Sequence, residues 1–272
     1  VPAVRFTIPD AGEDVETRLF EVLAEIPSSW TRAGAGVTVW VEEHDADAAK
    51  GALEASGLAA SSTPEEDRDW VSAAADLQKP VEVGTYLLDP HEGARATPAG
   101  SSTRLFVPAT RAFGTGSHES TRLALRLLLE ERVRGRRVLD VGCGAGTLAM
   151  VAAKEGAAFV AALDVDPDAA FETRDLSRAN AVAVAPLAGP IAALTREARF
   201  DVVVANMIHE ELAPLLPSIR GLLAEGGALL SAGQIAERQW LWREALEESG
   251  FRALREIDEN AWTGTRAIPV TP

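Results

Sequence analysis

The chain has 272 residues, 47% of them hydrophobic, one cysteine and a formal net charge of −15. That length holds one large domain or two of ordinary size, with apolar side chains enough for a core. The acidity argues against direct nucleic-acid binding, which needs a basic surface, and a lone Cys143 excludes an intrachain disulfide and points to a reducing, cytoplasmic setting.

The longest uncharged run, 179–195, is Ala-rich and broken by Pro186 and Pro190. Neither a membrane span nor a signal peptide is expected. The charge is uneven: residues 1–110 hold 19 acidic and 8 basic side chains, and residues 111–272 hold 22 and 18. Solubility and attraction of a basic partner both account for this.

In chain order, residues 4–8 alternate as a strand does. Residues 14–26 place Val15, Leu19, Val22, Leu23 and Ile26 on one helix face, and Pro27 ends that helix. Strands at 30–32 and 37–41 flank a Gly-containing turn. Asp45 is placed to cap a second helix that Gly57 stops. The order β-α-β-β-α predicts a small N-terminal α+β domain over 1–60, ferredoxin-like, with helices on one sheet face. Residues 59–69 are small, polar and acidic and read as a linker. The stretch 61–110 reads as a connecting section with strands at 81–88 and 103–108.

Residues 111–272 read as a second domain. A helix over 119–132 turns Leu123, Leu127 and Leu128 inward. Strands follow at 137–141, 159–163, 182–185, 200–205, 228–231, 251–257 and 265–270, with helices between most of them, including 210–223 and 235–249. This alternation predicts a doubly wound, mostly parallel sheet of seven strands, covered on both faces and carrying one antiparallel strand.

The stretch Val138-Leu-Asp-Val-Gly-Cys-Gly-Ala-Gly146 organises that domain: a buried strand, a glycine turn, then a helix from Thr147. Gly142, Gly144 and Gly146 let backbone approach a ligand at a helix N-terminus. The dinucleotide fingerprint needs its third glycine at position 147, where threonine stands. Asp140, two residues before the first glycine, suits a cationic ligand better than a pyrophosphate. Asp164, at the end of the next strand, suits ribose hydroxyls. The spacing resembles the S-adenosylmethionine (SAM) site of class I methyltransferases, with a structural turn or an NAD site as competing readings. Asn206, ending 200–206, can donate and accept towards a ligand or a reacting nitrogen. The loop 112–121 is polar and glycine-bearing and can close over a ligand.

Phe113-Gly-Thr-Gly-Ser-His-Glu-Ser-Thr121, the glycine motif, Asp164-Val-Asp-Pro167 and Val203-Val-Ala-Asn206, taken together, resemble the family of methyltransferases that modify protein eleven of the large ribosomal subunit. The resemblance covers 111–272 by motif and the N-terminal part by layout. It implies a Rossmann-like class I methyltransferase fold and SAM as cofactor. SAM contacts are implied at Thr121, Gly142, Asp164 and Asn206, and are extended to Phe113, Thr115, Gly116, Asp140, Gly144, Gly146 and Val165 on the same segments. The implied function is methylation of amines, the α-amine and lysine side chains, of a basic ribosomal protein held by the N-terminal domain. Asn206 and His118 are the catalytic candidates; loop positioning is the competing role for His118. No metal site, no nucleic-acid partner and a monomer are expected. A SAM-dependent enzyme acting on another protein or a small molecule, and a SAM-binding paralogue without turnover, are the other readings.

Overall fold

The structure is a computed structural model. It describes residues 3–9, 12, 15–24, 26, 28–33, 35–65, 79–91, 102–108, 118–195 and 197–270. The chain divides into two compact units, Val1–Gln78 and Lys79–Pro272.

In the first unit, β1 (Ala3–Ile8), α1 (Val15–Val22), β2 (Ser28–Ala33), β3 (Gly36–Glu42), α2 (Ala46–Ala55) and β4 (Ser61–Glu65) follow one another. The sheet order is β2-β3-β1-β4, with every neighbouring pair antiparallel. This is the split β-α-β arrangement of a ferredoxin-like unit. Alternation works as expected: Phe6, Ile8, Val37, Val39 and Val41 share one buried cluster with Val15, Leu19, Ala49 and Leu53. The helix α2 ends as Gly57 suggests. Gly57 has φ +74°, its N–H donates to Glu54 O, and Leu58 N–H reaches Leu53 O, the paired bonds of a Schellman stop. Asp45 stands at the start of α2, but its side chain makes no capping bond.

The linker reading of 59–69 is corrected at its start. Ser61–Glu65 forms β4 and lies on β1, with Pro64 opposite Val4. Proline is tolerated because β4 is an edge strand, where a missing N–H costs no ladder bond. The rest of that stretch, from residue 66 on, lies outside the described residues.

The second unit opens with β5 (Val81–Val83), β6 (Tyr86–Asp89) and β7 (Thr103–Phe106), a three-stranded sheet. This stretch, read as a connecting section, packs with the second unit rather than lying between the two. Tyr86, Leu88 and Leu105 are buried. Asp89 takes Arg104 and His91 as partners, and these bonds outweigh its burial and hold its carboxyl down at about 2.

Then come α3 (Glu119–Glu130), β8 (Arg137–Val141), α4 (Thr147–Lys154), β9 (Phe159–Asp164), α5 (Pro167–Ala179), β10 (Ala185–Ala188) and β11 (Phe200–Asn206). They are followed by α6 (His209–Leu212), α7 (Leu216–Leu222), β12 (Leu223–Ile235), α8 (Gln239–Glu248), β13 (Phe251–Glu259) and β14 (Trp262–Pro269). The seven-stranded sheet runs β10-β9-β8-β11-β12-β14-β13, and β14 is antiparallel to both its neighbours. The central strands β8 and β11 bury Val138, Leu139, Val141 and the run from Val202 to Ala205, as strands covered on both faces must, with Asp140 buried among them. Arg122 and Arg126 of α3 both pair with Glu259, fastening α3 to the β13–β14 hairpin.

Several boundaries move: the helix expected over 14–26 ends at Val22, the strand expected over 81–88 is two, β5 and β6, and the strand expected over 228–231 already starts at Leu223. The third strand lies at 185–188, not 182–185, because Ala181 adopts φ +52° after α5 and Val182 N–H closes the helix onto Ser177 O. The helix expected over 210–223 is broken at Pro214 and Pro217 into α6, a 3₁₀ turn and α7. The helix expected from 235 begins at Gln239, because β12 runs on to Ile235. Among the described residues no helix is long and apolar enough to cross a membrane.

Candidate functional site

The strands β9, β8 and β11 are parallel neighbours, so their carboxyl ends share one edge of the sheet. Ligands of open α/β sheets bind at such an edge, beside the point where strand order reverses. Here that point lies between β8 and β11, and the residues after β8, β9 and β11 meet there.

The turn after β8 is built on backbone. Gly142 N and Cys143 N both donate to Leu163 O, at 2.8 and 3.1 Å. Gly142, Gly144 and Gly146 have φ of +68°, +50° and +74°, which L side chains rarely adopt. A Cβ at Gly142 would meet Met207 Sδ at 2.8 Å, and one at Gly146 would meet Thr173 Cγ2 at 2.6 Å. The glycines thus serve conformation and close approach together. Thr173, fully buried on α5, donates to Gly144 O at 2.9 Å and pins the middle of the turn. Cys143 is buried in it with a thiol pushed up by burial and Sγ 3.5 Å from Thr173 Oγ1. It is an inert filler.

Asp164 meets the turn from β9. Its Oδ2 accepts from Gly144 N and its Oδ1 from Asp166 N, both at 3.0 Å. Val165, beside it, is 75% exposed. Asp140 lies beneath the turn, wholly buried; its Oδ2 accepts from Ala149 N at 3.0 Å, while its Oδ1 meets no donor among the described residues. Burial, reinforced by the charge of Asp164, pushes the Asp140 carboxyl up to about 7.

That shift carries a sign. The unfolded carboxyl titrates near ~3.9, so the native protein holds a proton that the unfolded chain releases between about pH 4 and 7. The stability this contributes is complete below about pH 4 and is lost as pH rises through about 7. Asp140→Asn, which keeps an acceptor for Ala149 N, is expected to gain stability over the ligand-free parent at pH 8 relative to pH 5. Urea melts of both proteins at the two pH values read this, and an unchanged difference would contradict it.

At the head of α3, His118 is the N-cap: its Nδ1 accepts from Ser120 N at 3.2 Å and lies 2.8 Å from Ser120 Oγ. Burial pulls the ring down to about 4, so at neutral pH it is uncharged. Its ring stacks edge-on against Trp262 at 4.7 Å. Thr121, one turn in, is buried and accepts from Asn206 Nδ2 at 3.1 Å. This single bond joins the helix head to the end of β11, 85 residues on. It also fixes the amide, so Asn206 Oδ1 faces elsewhere, buried and without a donor among the described residues. Phe113, Thr115 and Gly116 lie outside the described residues. The expected residues brought to one edge are therefore Thr121, Asp140, Gly142, Gly144, Gly146, Asp164, Val165 and Asn206.

Residues that the sequence reading missed also belong here. Met207 fills the space that Gly142 leaves. Gln234, 2% exposed within an apolar strand, donates to Met207 O. A long polar side chain beside a glycine in a mostly apolar run is the signal that marks it in advance.

The model of the family described as ribosomal protein L11 methyltransferase (PrmA) matches residues 12–267. The chain belongs to this family. A ribosomal protein L11 methyltransferase of Thermus thermophilus is 36% identical over 197 residues, 72% of this chain and 76% of that protein. One of Thiobacillus denitrificans is 35% identical over 242 residues, 84% and 78% of the two chains. The matched stretches span 60% to 78% of the relatives' own lengths. The crystal structure of a ribosomal protein L11 methylase from Lactobacillus delbrueckii subsp. bulgaricus aligns with a TM-score of 0.60 and 25% identity, over 65% of this chain and 92% of that one.

As a member of the L11 methyltransferase family, the chain is a SAM-dependent methyltransferase of class I fold. Its residues fit the cofactor on their own terms. An orphaned carboxylate oxygen of Asp140 lies under the turn. Gly142 and Gly146 form a cradle that a Cβ would fill. Asp164 is half-buried and has one backbone N–H on each oxygen, which leaves each a further acceptor position for a diol.

Proposed function

We propose that this protein transfers methyl groups from SAM to amino groups of ribosomal protein L11, the α-amine and lysine side chains. The observation that carries this reading is the Thr121–Asn206 pair. It sets an uncommitted amide oxygen at the edge where the glycine turn and Asp164 stand, which suits a substrate that donates N–H bonds.

In this reading the backbone of Gly142, Gly144 and Gly146 holds the cofactor's methionine part and sugar. Asp164 accepts from the ribose hydroxyls, Val165 covers one face of the adenine, and Asp140 offsets the positive charge. Thr121 and Asn206 flank the methyl-transfer position, and Phe113, Thr115 and Gly116 supply the loop that closes on the cofactor. SAM supplies a methyl already activated on a sulfonium sulfur, so the protein's work is alignment and exclusion of water. The attacking amine must be neutral. An α-amine near ~8 reaches that state readily, whereas a lysine near ~10.4 must be desolvated. His118 positions rather than deprotonates, because its Nδ1 is spent on the helix cap. The acidic N-terminal unit steers and grips a basic protein. The setting is cytoplasmic, the enzyme a monomer, and nucleic acid takes no direct part.

The test is incubation with radiolabelled SAM and the mixed large-subunit proteins. A single labelled band at L11 is expected. Label on other proteins, or tight SAM binding with no label anywhere, would overturn the reading.

A further inference from the structure

Helix α8 carries two tryptophans with opposite surroundings. Trp242 and Leu246, one turn apart, are 0% and 1% exposed and fix the face that packs on the core. Trp240, two residues before Trp242, is turned about 200° round the helix, away from that face. It is 61% exposed, the largest apolar side chain left in water among the described residues. The seating of α8 does not need it.

The same outer face is acidic. Glu237, in the 3₁₀ turn that leads into α8, precedes Trp240 by one turn, and Glu244 and Glu247 follow it by one and two, so all three share its side of the helix. All three are exposed, and none of their carboxylates makes an ion pair among the described residues. Arg243, at the margin of this face, is committed to Glu256 of β13. The face begins at the catalytic edge. Asn206 of β11 lies in register with Ala232, and β12 runs on to Ile235 before the chain turns into α8. His209, the first residue of α6, stacks edge-on against Trp242 at 6.0 Å, so the first turn of α8 is held beside the segment that leaves β11.

We propose that the outer face of α8, Trp240 with Glu237, Glu244 and Glu247, is a docking surface for a lysine- or arginine-bearing segment of the substrate protein that adjoins the methylated amine. This deepens the function proposed above and rests on it. A cation over the indole is attracted by the face of the ring, and the carboxylates one turn to either side attract the basic residues next to it. The aromatic anchor supplies contact energy, and the carboxylates supply speed and orientation of encounter. The same charges disfavour other occupants. The phosphates of nucleic acid are repelled, and a two-fold pairing of copies through this face sets carboxylates against carboxylates. An anchor carried by the same unit as Asp164 and Asn206 keeps a fixed reach to the methyl-transfer position.

Trp240→Ala and the triple variant Glu237→Gln/Glu244→Gln/Glu247→Gln are the tests, in the full chain with purified L11. All four side chains are exposed, so melting temperature and calorimetric SAM affinity are expected to stay those of the parent. Trp240→Ala is expected to raise KM for L11 at least ~5-fold with kcat within ~2-fold, and Trp240→Phe to fall between it and the parent. The triple variant is expected to lower kcat/KM at low salt and to flatten its decline as salt is added. An unchanged KM in Trp240→Ala, a loss confined to kcat, or a salt dependence as steep in the triple variant as in the parent would overturn the proposal. So would a parent dimer in sedimentation, or retention of ribosomal RNA, that Trp240→Ala abolishes, because a second copy or a nucleic acid then covers the face. Parent enzyme that transfers to no amine of L11 fails the function proposed above, and this inference with it. Parent activity on L11 that these variants leave unmoved fails this inference alone.

Discussion

Asp164→Ala is expected to weaken SAM binding by ~100-fold or more while the protein stays folded. Each carboxylate oxygen of Asp164 already accepts one backbone N–H, from Gly144 and from Asp166, and each retains a second acceptor position. Two ribose hydroxyls bonded there are charge-assisted, worth roughly 1.5–3 kcal/mol apiece. Their joint loss, about 3–6 kcal/mol, corresponds to a factor of ~100 or more in affinity. The substitution also releases Gly144 N, which loosens the turn and works in the same direction. Asp164→Asn, which keeps one acceptor oxygen, is expected to fall between. Calorimetric titration with SAM reads all three proteins, and their unliganded melting temperatures report the fold. An affinity unchanged by Asp164→Ala would remove the ribose role from this residue.

Gly146→Ala is expected to destabilise the second unit by about 3 kcal/mol or more. Two costs combine. A left-handed backbone at φ +74° charges an L side chain ~1–2 kcal/mol. The new methyl would stand 2.6 Å from Cγ2 and Oγ1 of Thr173, a fully buried side chain with nowhere to retreat, and overpacking costs ~1–3 kcal/mol more. Pushing Thr173 aside also breaks its bond to Gly144 O. In the double variant Gly146→Ala/Thr173→Ala the steric share should return and the backbone share remain, so the two substitutions should be strongly non-additive. Urea denaturation of the four proteins gives the coupling. Simple additivity would mean that the turn relaxes without touching Thr173.

Much of the architecture was legible in local pattern. The period-two runs of β1 and β3 and the helical faces carrying Val15, Leu19 and Leu123 lie in the elements expected of them. The alternation of strands and helices after residue 136 implied a parallel sheet. The weak places share a cause. Ser61–Glu65 has no strand pattern, being small, polar and proline-bearing, and becomes β4 only because β1 offers an open edge. The shift of β10 follows from how α5 terminates, a left-handed Ala181 that nothing in the residue type announces. The helix over 210–223 looked continuous by periodicity, yet Pro214 and Pro217 break it.

The division falls in the same way within the site. Residue type and spacing by themselves determined the turn of three glycines, the carboxylates at 140 and 164 and the amide at 206, because each needs only its own strand end or turn. What only the tertiary structure decided is how those groups are held. Thr173 presses on Gly146, Met207 on Gly142, Thr121 on Asn206, and Gln234 on the carbonyl of Met207. Most of these partners are tens of residues apart in the chain. Their meeting depends on strand order and helix packing, a collective result of burying the whole core, which no single stretch of sequence contains.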